Sequence, residues 1–365
     1  MNTLGIYIHV PFCGKKCSYC DFYSVCYNKM QADCYCEAVL RNIRHYADKN
    51  TLVDTVYFGG GTPTLLTAEQ ITAFIDEIRK CFNLSEDAEI TIEANPNTLK
   101  PEKLYNLRKS GINRLSIGVQ SMNNDELKFL GRTHTSERAG KAVNDAIDAG
   151  FENISCDLMI ALPNQSADSL AYSINTLTDM QIQHISAYIL KIEENTPFNC
   201  KKILDIMPDD DKTADLYLQM TDMLNKKGFL QYEVSNFSKA GFESRHNCRY
   251  WKCLDYIGIG TSAHSCYKGK RFAVEPDLQA FINSPVQPVV ITDDSPCGFE
   301  EFAMLRLRLA EGLNLNDVEL HRKSIEKKIP PLIKAGYIKY NGENISLTEK
   351  GFVMSNSVIE YIIFS

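Results

Sequence analysis

The sequence has no apolar stretch longer than a strand, and every such run falls far short of the roughly 20 residues that cross a bilayer. It has no surplus of positive charge either. Lys and Arg number 39 against 46 Asp and Glu, a net charge of −7. A chain whose main partner is nucleic acid needs a concentrated basic surface, so no nucleic-acid partner is expected. There is no low-complexity tract, and no internal repeat beyond the strand–helix period described below. Met1 to Val10 has no basic stretch ahead of an apolar one and reads straight into a strand. No secretory signal is therefore expected, and the expected location is cytoplasmic. Tryptophan occurs once, at Trp251.

Cysteine is the exception. There are 13, an odd number in a long chain read as cytoplasmic, where disulfides are rare and clustered thiols point to metal or catalytic use. Three lie close together near the N-terminus. The other ten, from Cys26 to Cys297, need no function, because a buried free cysteine packs as a small hydrophobe. Apolar residues make up 44% of the 365, enough for a full-sized core in one large domain and a smaller one.

Alternating or β-branched runs at Gly5–Val10, Thr55–Phe58, Glu89–Glu93, Arg114–Val119, Ser155–Ile160 and His184–Leu190 predict six strands. Helical patterns lie between them. Thr67 and Gln70 form a capping box ahead of an apolar face of Ile71, Phe74, Ile75, Ile78 and Phe82. Pro101–Ser110 opens on a first-turn proline and stops at Gly111. Ser136–Ala149 and Ser169–Met180 repeat the pattern. Six βα units in series imply a parallel sheet covered by helices, open and doubly wound or curled into a barrel. Polar residues at strand ends, Glu93, Gln120 and Asp157, favour the mouth of an incomplete TIM-like (β/α)6 barrel over residues 1–200. An α+β region at 201–295 follows, with a helix opened by Asp209–Asp211. Residues 296–365 read as a winged-helix-like module: a helix with a Phe302, Leu305, Leu309, Leu313 stripe, a helix near Ser324–Ala335, and a hairpin around Asn341-Gly342.

The strongest chemical signal is Cys13-x3-Cys17-x2-Cys20, just after the first strand. A [4Fe–4S] cube takes four thiolates when the protein supplies every ligand. Three leave one iron open, able to chelate the amino and carboxylate groups of S-adenosylmethionine. A zinc site is the alternative, with Cys26, Cys34, Cys36 or His9 as fourth ligand. The second signal is Gly59-Gly60-Gly61-Thr62-Pro63-Thr64 at the end of the second strand. Glycines there let backbone approach a ligand, and exposed amides can hold a carboxylate; a plain tight turn is the other reading.

Tyr7-Ile-His9-Val-Pro11-Phe12-Cys13, with Cys17, Tyr19 and Cys20-Asp21-Phe22, resembles the radical S-adenosylmethionine family, and more closely its oxygen-independent coproporphyrinogen III oxidase-like subfamily. Gly59–Thr64, Glu93-Ala-Asn95-Pro96, Gly111–Ser121, Gly131-Arg132-Thr-His134 and Asp157–Pro163 continue the likeness in order. The resemblance implies a [4Fe–4S] cluster on Cys13, Cys17 and Cys20. It implies S-adenosylmethionine held by Tyr7, Tyr19, Gly60, Gly61, Thr62, Glu93, Gln120, Arg132 and Asp157. Taken singly, each has a plainer reading: Arg132 a surface ion pair, Asp157 a loop cap, Tyr7 a core aromatic.

Two departures separate the chain from the decarboxylating branch. Phe22 stands where that branch carries another cysteine, and no extension precedes the first strand. The resemblance is closer to a branch regarded as haem chaperones, which carries the His-Asn-x-x-Tyr-Trp seen here as His246-Asn247-Cys248-Arg249-Tyr250-Trp251. It implies haem ligation by His246, with Tyr250 and Trp251 against the macrocycle and Cys248 as a lesser candidate. The bland alternative is a loop histidine, and His264 is read as a core or loop residue. The expected function is haem binding and delivery to an acceptor, such as a respiratory membrane protein, with an electron donor such as a flavodoxin or ferredoxin. Decarboxylation of porphyrinogen propionates and a non-catalytic cluster-bearing interaction module are the competing expectations.

Overall fold

A computed structural model describes residues 3–364. Its centre is six parallel strands: β1 (Leu4–Val10), β2 (Asp48–Gly60), β3 (Phe82–Ala94), β4 (Arg114–Gln120), β5 (Ile154–Ile160) and β6 (His184–Ile189). Each pairs with the next in sequence. The helices α1 (Lys29–His45), α2 (Ala68–Cys81), α3 (Pro101–Ser110), α4 (Ser136–Asp148) and α5 (Ala167–Thr178) connect them. The Thr67–Gln70 capping box is present at the start of α2, and Gly111 ends α3 in the left-handed region at φ 110°.

The curl does not close. Asn236–Ser238 (β7) continues the sheet antiparallel to β6. On the other side Tyr256–Ile259 (β8) adds parallel to β1, and His264–Tyr267 (β9), Lys270–Val274 (β10) and Val289–Asp293 (β11) follow antiparallel. With the two-residue strand Leu230–Gln231 beyond β7 the sheet has 12 strands, and β1 never meets β6. This is the expected incomplete barrel.

Side-chain alternation explains why the barrel is not simply a core. Ile6, Ile8, Val56, Phe58, Ile90, Ile92, Leu115 and Ile117 are fully or almost fully buried. They meet the helices outside. The alternate positions, Tyr7, Tyr57, Glu93, Ser116 and Asp157, contact one another across the interior. Strands of period two thus wrap a polar, hydrogen-bonded interior in an apolar sleeve.

The C-terminal half follows the expected order in part. α6 (Asp210–Lys226) is capped by Asp209, and α7 (Arg245–Trp251) is a helix where a loop reading was open. α8 (Phe299–Arg306) stops short of Leu309 and Leu313, which are buried outside it. α9 (Arg322–Lys334) and the Ile338–Tyr340/Asn344–Leu347 hairpin follow, with Leu313–Asn314 as a third strand. Two further helices, Glu349–Val353 and α10 (Ser355–Phe364), were not anticipated. His264 lies exposed on β9 rather than in a core or loop.

Glu233 joins the two halves, bridging to Leu309. It is wholly buried, and neither carboxylate oxygen has a partner among the described residues. Burial raises its pKa from 4.5 to about 7. The folded chain therefore holds this proton more tightly than the unfolded chain, so stability falls as pH rises from about 4.5 through 7. Glu233→Gln should change the unfolding midpoint little at pH 5 and raise stability by about 2–3 kcal/mol at pH 8. Equal effects at the two pH values would show that the charge is not the burden.

Candidate functional site

The loops beyond the C-terminal strand ends carry the residues singled out above. After β1, Phe12 and Cys13 pair in parallel with Val25 and Cys26. Residues 14–24 are thereby drawn into a closed loop that holds Cys17 and Cys20. The Val25 N–H donates to the Pro11 carbonyl at 2.7 Å, Tyr27 N–H to Cys13 at 3.0 Å, and Cys20 N–H to Cys17 at 3.2 Å. All three thiols are free and half-buried. No three His, Cys, Asp or Glu side chains among the described residues are gathered closely enough for a single metal ion. Thiolates on an iron–sulfur cube each bind a different iron and stand wider apart than the ligands of one zinc. Of the side chains considered for a fourth zinc ligand, Cys36 is buried in α1. The His9 ring is engaged by the Tyr7 hydroxyl at 3.0 Å and the Tyr23 carbonyl at 3.1 Å.

The glycine turn is locked to the same segment. Gly61 N–H donates to the Val10 carbonyl at 2.9 Å and Thr62 N–H to Phe12 at 2.8 Å. A Cβ on Gly61 would lie 2.6 Å from the Phe12 carbonyl oxygen, a backbone atom that cannot swing away. Gly60 has φ 107°, and a Cβ there would meet the His9 ring at 2.7 Å. The Thr62 hydroxyl lies 3.8 Å from Cys13 Sγ.

Arg132 reaches the cysteine loop from beyond β4. Its Nη1 donates to Cys17 Sγ and to the Tyr19 hydroxyl, each at 3.5 Å, and its Nη2 to the Gly118 carbonyl at 2.7 Å. Its Nε is buried with no partner among the described residues. Gln120 ends β4 with φ 69°, a conformation non-glycine residues avoid and one often kept at functional sites. Deeper in, Glu93 accepts from the Tyr57 hydroxyl at 2.8 Å and from Gly60 N–H at 3.2 Å. Asp157 accepts from the Ser116 hydroxyl at 3.1 Å. Burial within the barrel pushes Glu93 up to about 7 and Asp157 up to about 6.

Twelve of the expected residues thus sit at one mouth or just beneath it. His246 does not. It lies in the first turn of α7, which plugs the opposite, N-terminal end of the barrel. Glu89 holds that turn by accepting from Arg245 N–H at 2.9 Å and His246 N–H at 3.0 Å. The His246 ring is fully buried and stacks on Tyr57 at 5.2 Å. Its Nδ1 is 2.9 Å from the Thr55 hydroxyl and its Nε2 2.9 Å from the Tyr250 hydroxyl. Burial lowers its pKa to about 3, so the imidazole is neutral. The expected free imidazole, and the packing of Tyr250 on a macrocycle, are therefore not what the structure contains; Tyr250 is committed to His246. The buried residues Tyr57 and Ser116, and the partly exposed Tyr188, were missed. Tyr188 lies near the end of β6, two residues beyond Ser186, the register partner of Asp157, and so on the same face of the sheet as Asp157. The period-two alternation in each strand is the signal that could have found them.

The Radical SAM superfamily profile matches residues 7–177, and that of the HemN C-terminal domain matches 299–354. Heme chaperone HemW of Lactococcus lactis subsp. lactis is 34% identical over 364 residues, 97% of this chain and 96% of that protein. HemW of Escherichia coli K12 is 34% identical, covering 99% and 98%, and that of Bacillus subtilis 35%, covering 96% and 97%. Among solved structures, coproporphyrinogen III oxidase (HemN) from Escherichia coli superposes with a TM-score of 0.81 at 21% identity, over 100% of this chain and 90% of that one. That likeness establishes the fold. No helix among the described residues is long and apolar enough to cross a membrane.

Proposed function

The chain belongs to the HemW family of radical S-adenosylmethionine proteins, and on that premise we propose that it binds haem and delivers it to acceptor proteins. The observation that carries this reading is likeness along essentially the whole chain to relatives named heme chaperones. The family implies a [4Fe–4S] cluster and S-adenosylmethionine.

The residues at the mouth fit that pair. Cys13, Cys17 and Cys20 supply three thiolates on a loop pinned at both ends. Gly60 and Gly61 let the turn pack directly on the His9 ring and the Phe12 carbonyl beside Cys13. The amides of Gly60, Gly61 and Thr62 are taken by Glu93, Val10 and Phe12, so the expected exposed amides are absent and the turn supports the reading by its position alone. Arg132 keeps a buried, unpartnered Nε for a carboxylate. Glu93, Gln120 and Asp157 offer acceptors to ribose hydroxyls or an amino group, and Tyr7 and Tyr19 wall the space. When bound, the cluster supplies one electron that can cleave the sulfonium of the cofactor. The protein's own part is to orient: Arg132 also fixes the Cys17 sulfur, and Tyr57 fixes Glu93. An electron donor such as a flavodoxin or ferredoxin and a respiratory membrane acceptor belong to the same proposal.

His246 remains the proposed iron ligand, with a condition set by its surroundings. Ligation through Nε2 requires that Tyr250 release that nitrogen and that α7 expose it. The test is anaerobic reconstitution with iron and sulfide, then haem titration followed by absorbance, with and without His246→Ala. Saturable one-to-one binding is expected, weakened at least about tenfold and with an altered Soret band in the variant. A variant with an unchanged Soret band would remove His246 as ligand. No haem binding by a chain that holds its cluster and S-adenosylmethionine would overturn the carrier reading, and coproporphyrinogen turnover would then be measured.

A further inference from the structure

An open groove of about 470 Å³ lies in the C-terminal module, between the start of α8 and the segment Leu315–His321 that leads into α9. None of its lining residues belongs to the radical S-adenosylmethionine mouth or to α7. Phe299 and Phe302, one turn apart on α8, line it from one side. Val318 and Leu320 line it from the facing segment, which is kinked at Val318 with φ −130° and ψ 40°. Leu320 is 97% exposed. A lone exposed leucine is ordinary, but this one shares a concave surface with two phenylalanines.

His321 stands at the end of that surface. Its ring lies flat on Phe299, with 3.5 Å between centroids and 6° between planes. The residue is exposed, and its side chain makes no capping hydrogen bond to α9, which begins at the next residue. The stack occupies one face of the imidazole and sets its plane, while the nitrogens lie on the ring edge. His246 is the opposite case, fully buried with both nitrogens engaged. The walls are held by contacts that spare the His321 ring. Asn316 N–H donates to Asn314 Oδ1 at 2.8 Å, and Asn316 Oδ1 accepts from Arg322 Nη1 at 2.8 Å. On the α8 side, Cys297 N–H donates to Glu301 Oε2 at 2.7 Å.

The lining narrows the ligand class. It includes no Lys or Arg, and Asp317 and Glu319 are exposed along it, which disfavours phosphates and nucleotides. No three His, Cys, Asp or Glu side chains among the described residues gather for a bare metal ion. A flat apolar ligand that brings its own metal and takes one nitrogen from the protein fits, and an iron porphyrin is such a ligand. We propose that this groove is a second haem site, with His321 as axial ligand, where the carrier holds haem at its surface without opening α7. The inference rests on the carrier reading above. The binding step is ligand exchange: an imidazole nitrogen donates its lone pair to the haem iron in place of water, and no electron is transferred. The propionates turn outward, away from Asp317 and Glu319.

The test is haem titration of the full-length, anaerobically reconstituted protein, carried past two equivalents and followed by absorbance, in wild type, His321→Ala and His246→Ala. Beyond the first equivalent, a second and weaker saturable step is expected. His321→Ala should weaken that step about tenfold or more and alter its Soret band, leaving the first step intact. His246→Ala should retain it. Metal-free protoporphyrin is the second probe; with no iron to ligate, any binding of it should be the same in wild type and His321→Ala. A titration that ends after one His246-dependent step overturns this proposal and leaves the carrier reading standing. A second step with unchanged affinity and Soret band in His321→Ala overturns it as well, as does an equal loss of protoporphyrin binding. A wild-type protein that holds its cluster and binds no haem overturns both readings.

Discussion

Cys17→Ala is expected to leave the chain folded and take away its cluster. The Cys17 side chain is half-buried in a loop whose ends are pinned by neighbouring backbone, so its loss leaves no core cavity; stability should change by less than about 1 kcal/mol. After anaerobic reconstitution, iron, acid-labile sulfide and the broad visible absorbance should fall roughly tenfold or more, because two thiolates do not retain a cube built for three. S-adenosylmethionine binding should fall with them. Cys34→Ala is the control, since Cys34 is an exposed thiol on α1 and should keep a full complement. Full iron content in Cys17→Ala would remove the Cys13, Cys17, Cys20 set as the ligands.

Arg249→Ala is expected to destabilise the fold by about 3 kcal/mol, read as a lowered urea midpoint with unchanged slope. This α7 side chain is only 3% exposed and pairs with Asp54 of β2. It also donates to the Thr3 hydroxyl at 3.2 Å and to the Asp255 carbonyl at 3.1 Å and 3.0 Å. Its path is cleared by Gly5, where a Cβ would stand 2.7 Å from the arginine Cδ. Removing it leaves Asp54, 21% exposed, without its cation and frees the plug that carries His246. Arg249→Lys should recover only part of the loss, because an ammonium cannot reach all these acceptors at once. A change within 0.5 kcal/mol, the scale of an ordinary surface substitution, would show that this ion pair does not hold α7 in place.

The barrel was legible because its rules are local. Each strand alternates, each helix has a stripe and a cap, and the boundaries of α3 and the start of β4 fall where the residues put them. β2 and β3 are longer than predicted for an equally physical reason. Leu52 and Val53 pair with Asn83 and Leu84, so the polar stretches ahead of the apolar runs form a ribbon that no hydrophobic period reveals. The cysteine loop and glycine turn were legible as motifs, but their attachment through Val10 and Phe12 was not. The misplacement of His246 has the same origin. Its burial depends on Thr55, 191 residues away, and on Glu89, and no pattern around His246 reports either.

The Gly61 and Thr62 amides hang from Val10 and Phe12, and Cys13 is the very next residue. The turn offered to the cofactor and the loop offered to the cluster are therefore one lever with a single fulcrum. A displacement of the cysteine loop is expected to pass to the glycine turn through these two hydrogen bonds. A preparation short of cluster should bind S-adenosylmethionine poorly for two separable reasons, a missing iron and a slack turn. The second should persist when a redox-inert metal fills the thiols without restoring the loop's proper span.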